Sequence, residues 1–303
     1  MIKYSFIIPH KNSPLELKRL LDTIPLRDDI QIVVVDDNSE VDKRPIISGR
    51  KNAEVVLLSS NSSKGAGRAR NVGMEKATGK WLLFADADDM YQVGFVDVLD
   101  KELKDEIDIL YFDFYNNYNI SYSSEEPTRY HKYLTDYNEN PYSCFRENRV
   151  KYGLSAPWNK VFKCAFVRDH KVLFEEIPAG NDMYFVHTCG ALTTNIKCIS
   201  DKLYYYIKNR EGITNKRMTK EAIVNRIVTS SSHIRFIQDQ GAWDIGDTSW
   251  PSVAEIYQKY GLLFSIKVYI LKLRYFRPSL YVHAKHRLML HKEKMFEQSI
   301  HQK

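Results

Sequence analysis

The stretch "KWLLFADADDMY", Lys80–Tyr91, opens with a run of bulky apolar residues and then sets Asp86, Asp88 and Asp89 within four positions. The apolar run reads as a buried strand whose carboxyl end carries three carboxylates. A single Asp-rich turn often does no more than cap a strand or helix. The segments around this one decide whether it does more.

Working outward, "YSFIIP" and "QIVVVDD" are β-branched apolar runs separated by "SPLELKRLLDTIP". There Ser13 can cap a helix, Pro14 suits its first turn, and Leu15, Leu17, Leu20 and Leu21 supply much of an apolar face. "EVVLLSS" predicts a third strand, "AGRARNVGMEKA" a second helix closed by Thr78 and Gly79, and "KWLLFAD" a fourth strand. This alternation predicts an α/β fold with a mostly parallel central sheet covered by helices, in which ligands bind beyond the carboxyl ends of the strands. Pro9, His10, Lys11 and Asn12 follow the first strand, Asp36, Asp37, Asn38 and Ser39 the second, and the three acids the fourth. Three such ends in register form a place to hold a nucleotide and a metal.

Rival nucleotide folds leave no trace. "GAGRAR" has Gly65 and Gly67 but Arg70 where a dinucleotide fingerprint needs its third glycine, and it does not follow the first strand. There is no Gly-Lys-Ser/Thr phosphate loop, and "FIIPHKNS" lacks the glycines a sugar nucleotidyltransferase places after its first strand.

With 303 residues, 44% hydrophobic and 27% charged, the chain can bury a sizeable core as one large domain or two modest ones. No segment approaches the ~18 uninterrupted apolar residues of a membrane span, and "MIKYSFIIPH" lacks the features of a signal peptide, so the cytoplasm is the expected location. Cys144, Cys164, Cys189 and Cys198 are scattered without a C-x-x-C pair and are expected to be reduced packing residues. The net charge of +6 is uneven: Lys259–Lys303 holds ten Lys/Arg against two Glu, which leaves the rest near neutral.

Five stretches, "FIIPHKN", "IVVVDDNS", "GAGRARNVGMEKATGKWLLFADADD", "PWNKVFKCAFV" and "GNDMYFV", occur in this order between residues 3 and 215. They resemble successive signatures of the family 2 glycosyltransferases, inverting enzymes of the GT-A fold. The resemblance implies a GT-A nucleotide-sugar-binding catalytic domain over residues 1–215, followed by a helical, basic C-terminal region over 216–303. It implies transfer of a hexose or N-acetylhexosamine from a UDP-sugar donor to a glycan or lipid-linked glycan acceptor in bacterial capsule or lipopolysaccharide synthesis. A catalytically silent sugar-nucleotide-binding protein is the alternative; it would not be expected to keep Asp86, Asp88 and Asp182 together.

Carried over residue by residue, the family's D-x-D motif falls on Asp86, Ala87 and Asp88. One or both carboxylates would hold Mn²⁺ or Mg²⁺, hard cations suited to oxygen ligands, at the donor's diphosphate. Asp88 is the expected direct ligand and Asp86 the contact to ribose or sugar, while Asp89 completes the acidic ending or caps the next helix. Asp36 or Asp37 would read the uracil base. Pro9, His10 and Asn12 match the turn beside the base, His10 either stacking on uracil or serving the fold. Arg70 and Asn71 match the family's "ARN", where an Arg can reach a donor phosphate or lie on the helix surface. The catalytic base falls on Asp182, with Asn181 in place of the family's Glu as a helix cap near the acceptor; Glu175 and Glu176 are secondary candidates. Trp158 resembles an aromatic beside the acceptor sugar, with a core Trp as the competing reading. After Tyr206 the pattern departs from the family, leaving Lys208 or Arg210 to face the diphosphate.

Beyond Lys216, "TKEAIVNRIVTSSSHIRFIQDQ" and "EIYQKYGLLFSIKVYILKLRYF" read as helices. The second mixes aromatics and aliphatics with Lys267, Lys272 and Arg274, a pattern that fits either peripheral contact with an anionic membrane on its inner, cytoplasmic face or a helix packed on the catalytic domain. His283 and His286 have no further ligand in sequence and read as surface residues. No nucleic-acid module accompanies the basic tail, so nucleic acid is not an expected partner.

Overall fold

The computed structural model describes residues 1–119, 122–123, 128–177, 180–207, 219–243, 245, 253–276, 281–282, 284–289, 291–292 and 295. Lys208, Arg210 and His283 lie outside them. Two compact units are formed, Met1–Glu139 with Leu154–Gly212, and Asn140–Gly153 with Ile213–Lys303.

The first unit begins β1 (Tyr4–His10), α1 (Pro14–Thr23), β2 (Ile30–Asp36), β3 (Ala53–Leu57), α2 (Ala66–Lys76) and β4 (Trp81–Phe84). β2 is buried along its whole length, which is why Ile32–Val35 read as a continuous apolar run with no alternation. β1 pairs in parallel with β2 on one side and β4 on the other, and β2 with β3. The register sets His10 opposite Asp36 and Ile7 opposite Phe84, so these strands finish at one edge.

Helix α1 has Pro14 in its first turn, as expected, but Ser13 makes no side-chain capping bond. Leu17, Leu20 and Leu21 are buried; Leu15 is 78% exposed and is not part of the apolar face.

The chain continues through β5 (Met90–Tyr91), α3 (Phe95–Glu102), β6 (Ile109–Asn119), β7 (Tyr122–Ser123), α4 (Arg129–Glu139), β8 (Lys160–Lys163), α6 (Cys164–Asp169), α7 (Met183–Leu192) and β9 (Ile196–Ile207), with α5 (Cys144–Tyr152) between α4 and β8. Among the described residues the strands make one sheet in the order β3-β2-β1-β4-β8-β6-β9-β5, with β7 on β6. The parallel half ends at β4. β8 runs antiparallel to both β4 and β6, and β6 parallel to β9. Phe84, Phe162, Phe174 and Phe185 pack edge-to-face and stacked beneath the carboxyl end of β4, a rigid apolar floor for the polar groups above.

The second unit contains α5, α8 (Lys220–Asp239), α9 (Val253–Tyr260) and α10 (Leu262–Tyr275). Its core joins Ile223 and Ile227 of α8 to Ile256 of α9 and to Phe264 and Val268 of α10. Tyr152 of α5 packs with Ile237 and Ala242. Gly261, at φ 85°, divides α9 from α10. Among the described residues no helix is long and apolar enough to cross a membrane. None of the four cysteines is in a disulfide; Cys164, Cys189 and Cys198 are buried and Cys144 is exposed.

Candidate active site

At the ends of β1 and β2, the Ser13 backbone N–H donates to His10 Nε2 at 3.3 Å, which leaves Nδ1 to carry the ring proton and donate to Asp36 Oδ1 at 2.7 Å. Ser39 donates to Asp36 as well, through its hydroxyl and through its backbone N–H at 3.0 Å. Burial works to raise Asp36, but these bonds from Ser39 and His10 hold its carboxyl below the usual range. The His10 side chain is fully buried and both its nitrogens are engaged, so of its two readings the geometry fits the one in which it serves the fold, as a pillar that fixes Asp36, and not stacking on a base. Pro9 lies within β1 opposite Val35. Asn12 and Asn38 take left-handed backbone angles of 54° and 60°. Asn12 accepts from the Glu40 N–H, tying the two loops together. Asp37 is held more loosely, by Lys11 Nζ and by the Gly65 N–H, each at 3.3 Å.

At the end of β4, Asp86, Asp88 and Asp89 occupy three environments. Asp89 is 1% exposed and accepts from the Tyr204 hydroxyl at 2.8 Å and the Ile207 N–H at 2.7 Å. Burial, then the charges of Asp86 and Asp88, push it well above the usual carboxylate range. It fastens β9 to the acidic turn and does not cap the next helix, which starts after Gly94. Asp86 keeps a third of its side chain exposed. Burial, with Asp86 beside it, pushes Asp88 up to about 6. Ala87 between them is buried. Among the described residues no group of three or more His, Cys, Asp or Glu side chains could hold a metal ion. Asp86 and Asp88 thus offer a two-carboxylate donor set, which suits a cation completed by phosphate oxygens and water; burial and then the charge of Asp86 raise Asp88, and such a cation would offset both.

Helix α2 reaches this turn through Arg70, which is 5% exposed. One terminal nitrogen donates to Asp86 Oδ1 at 2.7 Å and the other to Asn181 Oδ1 at 2.8 Å, with the guanidinium over the Phe174 ring. Asn71, the next residue, exchanges two hydrogen bonds with the Phe174 backbone, at 2.9 and 2.8 Å. Its amide therefore holds the chain that leads to α7 and is not directed at a donor. Gly67 allows this approach: a β-carbon there would lie 2.0 Å from the Glu175 carbonyl oxygen. Lys64 and Arg68 pair with Glu176 on the same side.

Asp182 sits at the N-terminus of α7, immediately after Asn181. Asn181 does not cap that helix with its side chain, as the sequence suggested; Arg70 takes its oxygen. Burial raises Asp182 above the ordinary carboxylate range, Arg70 and Lys160 oppose the rise and Asp86 adds to it. The base candidate, the acidic turn and the α2 cation are thus within electrostatic reach of one another.

Trp158 is 6% exposed. Its ring lies parallel to Tyr204 and Tyr206, with centroids at 5.0 and 5.4 Å, and meets Phe114 edge-on. With its faces packed on tyrosines it belongs to the core reading and not to a sugar platform. Two groups that sequence reasoning passed over, Tyr204 and Lys160, also build the site. Tyr204 bonds Asp89 and accepts from the Asp86 N–H at 3.0 Å. Lys160, 1% exposed, donates to Leu154 O, Ala156 O and Asn159 Oδ1 at 3.0, 2.7 and 2.7 Å, and burial draws it down to about 7. Asp113 on β6, fully buried, pairs with His131 of α4 at 2.8 Å. "PWNK" was a signal for Lys160; nothing marked Tyr204 out of three adjacent tyrosines.

The family model described as glycosyl transferase family 2 matches residues 5–169. The chain is 28% identical over 227 residues to the poly(ribitol-phosphate) beta-N-acetylglucosaminyltransferase TarS of Staphylococcus aureus strain Mu50, a match covering 70% of this chain and 36% of that protein. It is 26% identical over 225 residues to the poly(ribitol-phosphate) beta-glucosyltransferase of Bacillus spizizenii strain W23, covering 70% of this chain and 33% of that protein. The chain thus spans about a third of the length of these two curated relatives. The crystal structure of S. aureus TarS 1–349 in complex with UDP-GlcNAc is similar with a TM-score of 0.58 and 23% identity, over 77% of this chain and 66% of that one. The same protein in complex with UDP aligns over 99% of this chain and 92% of that one, with a TM-score of 0.55 and 19% identity.

Proposed function

The chain belongs to glycosyl transferase family 2 and carries a fold of the GT-A type, and from that premise we propose that it is an inverting, metal-dependent glycosyltransferase. It moves a hexose or N-acetylhexosamine from a UDP-sugar to a glycan or lipid-linked glycan in bacterial surface polysaccharide synthesis. The observation that carries this reading is the guanidinium of Arg70, which joins Asp86 of the acidic turn to Asn181 beside Asp182. Two sets of residues that the chemistry needs face to face are thereby held by one side chain.

In this reading Asp37 receives the base. Asp36 has both oxygens engaged by His10 and Ser39, whereas the Asp37 carboxylate is held only by long contacts that a uracil imide N–H can add to. Asp88, with Asp86, would hold Mn²⁺ or Mg²⁺, which would neutralise the charge that grows on the departing diphosphate. Asp182 takes the proton from an acceptor hydroxyl as that oxygen bonds to the anomeric carbon and the bond from that carbon to the diphosphate oxygen breaks, inverting the centre. Its raised affinity for a proton brings it closer to the basicity a general base needs at neutral pH. Arg70, a persistent cation, keeps Asp86 and Asn181 in place.

The reading places the protein in the cytoplasm, peripheral to the inner face of the membrane where a lipid-linked acceptor resides. The relatives' names, which specify N-acetylglucosamine or glucose transfer to poly(ribitol phosphate), support a surface glycan acceptor, and the UDP-GlcNAc complex of the similar crystal structure supports a sugar-nucleotide donor. A panel of nucleotide sugars assayed for UDP release, with and without divalent metal, is the test. Metal-dependent release from one UDP-sugar is expected; no release from any of them in the presence of candidate acceptors would refute the reading.

A further inference from the structure

Helix α10 has two apolar faces. One packs inward, with Phe264 and Val268 in the core of the second unit and Leu271 and Tyr275 beside them. The other carries Leu262, Leu263, Ile266, Tyr269, Ile270 and Leu273, all exposed, Leu263 at 86% and Leu273 at 66%. At 3.6 residues per turn these six fall within an arc of about 120°, opposite the packed face, where a surface helix normally presents charged and polar groups. On the same wheel Lys267 and Arg274 border one side of the arc and Lys272 the other. From Ile256 to Phe276 the sequence contains no Asp or Glu.

We propose that this outer face of α10 is a docking surface for a bilayer of anionic phospholipid. The helix lies in the plane of the interface, its six apolar side chains entering the boundary between headgroups and acyl chains, with Lys267, Lys272 and Arg274 at the lipid phosphates. Fourteen residues make a helix about 21 Å long, short of the ~30 Å hydrocarbon core, so it lies on the membrane and does not cross it. Charge selects lipid over a second copy of the chain: pairing two such stripes about a two-fold axis would set their bordering cations against each other, whereas an anionic surface neutralises them. The surface lies within the second unit and its argument does not depend on the transfer chemistry.

The test is cosedimentation of the full 303-residue chain with vesicles of phosphatidylglycerol and of phosphatidylcholine. Binding to phosphatidylglycerol is expected, weakening as salt rises past the ~8 Å screening length of physiological buffer, with slight binding to phosphatidylcholine. Ile266→Glu with Leu273→Glu should lower partitioning at least tenfold on phosphatidylglycerol. Lys267→Gln with Arg274→Gln should lower it severalfold and flatten the salt dependence; should the glutamate variant fail to fold, this second pair decides. The proposal is overturned if the wild-type chain sediments with phosphatidylglycerol no more than without lipid, or if both variants bind as it does. It is equally overturned if analytical ultracentrifugation finds a dimer that the glutamate variant turns into a monomer, the face then belonging to a second copy.

Discussion

Arg70 donates to Asp86 across 2.7 Å, from the middle of α2 to the carboxyl end of β4, and both partners are shielded enough for the pair to matter. The other terminal nitrogen of the same planar fork reaches Asn181, a spread of two separated donors that the single nitrogen of an ammonium does not reproduce. Arg70→Lys is expected to keep the charge, lose one charge-assisted bond, lower kcat/KM for UDP release by roughly tenfold to a hundredfold and cost about 1–3 kcal/mol of stability. Steady-state kinetics that match the parent would refute the bridging role.

The acidic turn makes a second prediction. Asp88→Asn keeps the volume of the side chain and removes an anionic oxygen, so turnover should fall by orders of magnitude while the melting temperature holds. Treating the parent with EDTA should do the same, and restored Mn²⁺ or Mg²⁺ should rescue the parent alone. Full activity of the variant in metal-free buffer would end the assignment.

Asp182→Asn should reduce transfer by roughly 10²- to 10⁴-fold, the usual loss when a general base is removed, while UDP binding measured by calorimetry stays near the parent's. A base acts in its ionised form, and burial raises the value at which Asp182 ionises. Activity of the parent should therefore drop as pH falls through a value above the ordinary ~4 of a carboxylate, and the residual activity of the variant should lack that limb. A collapse of UDP binding in the variant would move the base to Glu175 or Glu176.

Tyr204→Phe deletes one oxygen that serves two partners, the Asp89 carboxyl and the Asp86 N–H. Leaving these groups without their partner should cost about 1–3 kcal/mol, read as a lower urea midpoint at unchanged slope. An unchanged midpoint would show that Asp89 is anchored by the Ile207 N–H alone.

Lys160 gives stability a pH signature. Its folded value, about 7, lies below its ordinary 10.5 because of burial. Between those limits the unfolded chain binds a proton that the folded chain does not, so the contribution of this lysine to stability rises with pH from about 7 and levels off near 10.5. The difference in urea stability between the parent and Lys160→Met should therefore shift in favour of the parent from pH 7 to pH 9. Parallel curves would mean that the three oxygen acceptors around Nζ keep the proton on.

The parallel half of the sheet was legible because each strand there is a dense apolar run, and the carboxyl-end clusters follow from strand order alone. Beyond β4 the signal fades: β8 is four residues long, and over the twelve of β9 buried, half-buried and exposed positions come in runs with no two-residue alternation, so neither the antiparallel insertion nor the pairing of β6 with β9 is written in local periodicity. Residue types at the site were legible, but their partners were not. Asn181 meets Arg70 across 111 positions and Tyr204 meets Asp89 across 115, separations at which only the folded chain decides who pairs with whom. His10 and Trp158 show the same limit: each carries a chemically versatile ring, and burial in the fold directs it to support and away from ligand.

The close passage of Gly67 against the Glu175 carbonyl has a consequence for engineering. Helix α2 interlocks with Phe174, Glu175 and Asn181 through that passage, through the two-way bond of Asn71 with Phe174 and through Arg70. A chimera that imports the 174–181 segment from a relative, to alter what the enzyme accepts, inherits a lock cut for another key unless positions 67, 70 and 71 travel with it. The two stretches are a single transplantable cassette, and grafts that divide it are expected to misfold locally at the very place where new specificity was sought.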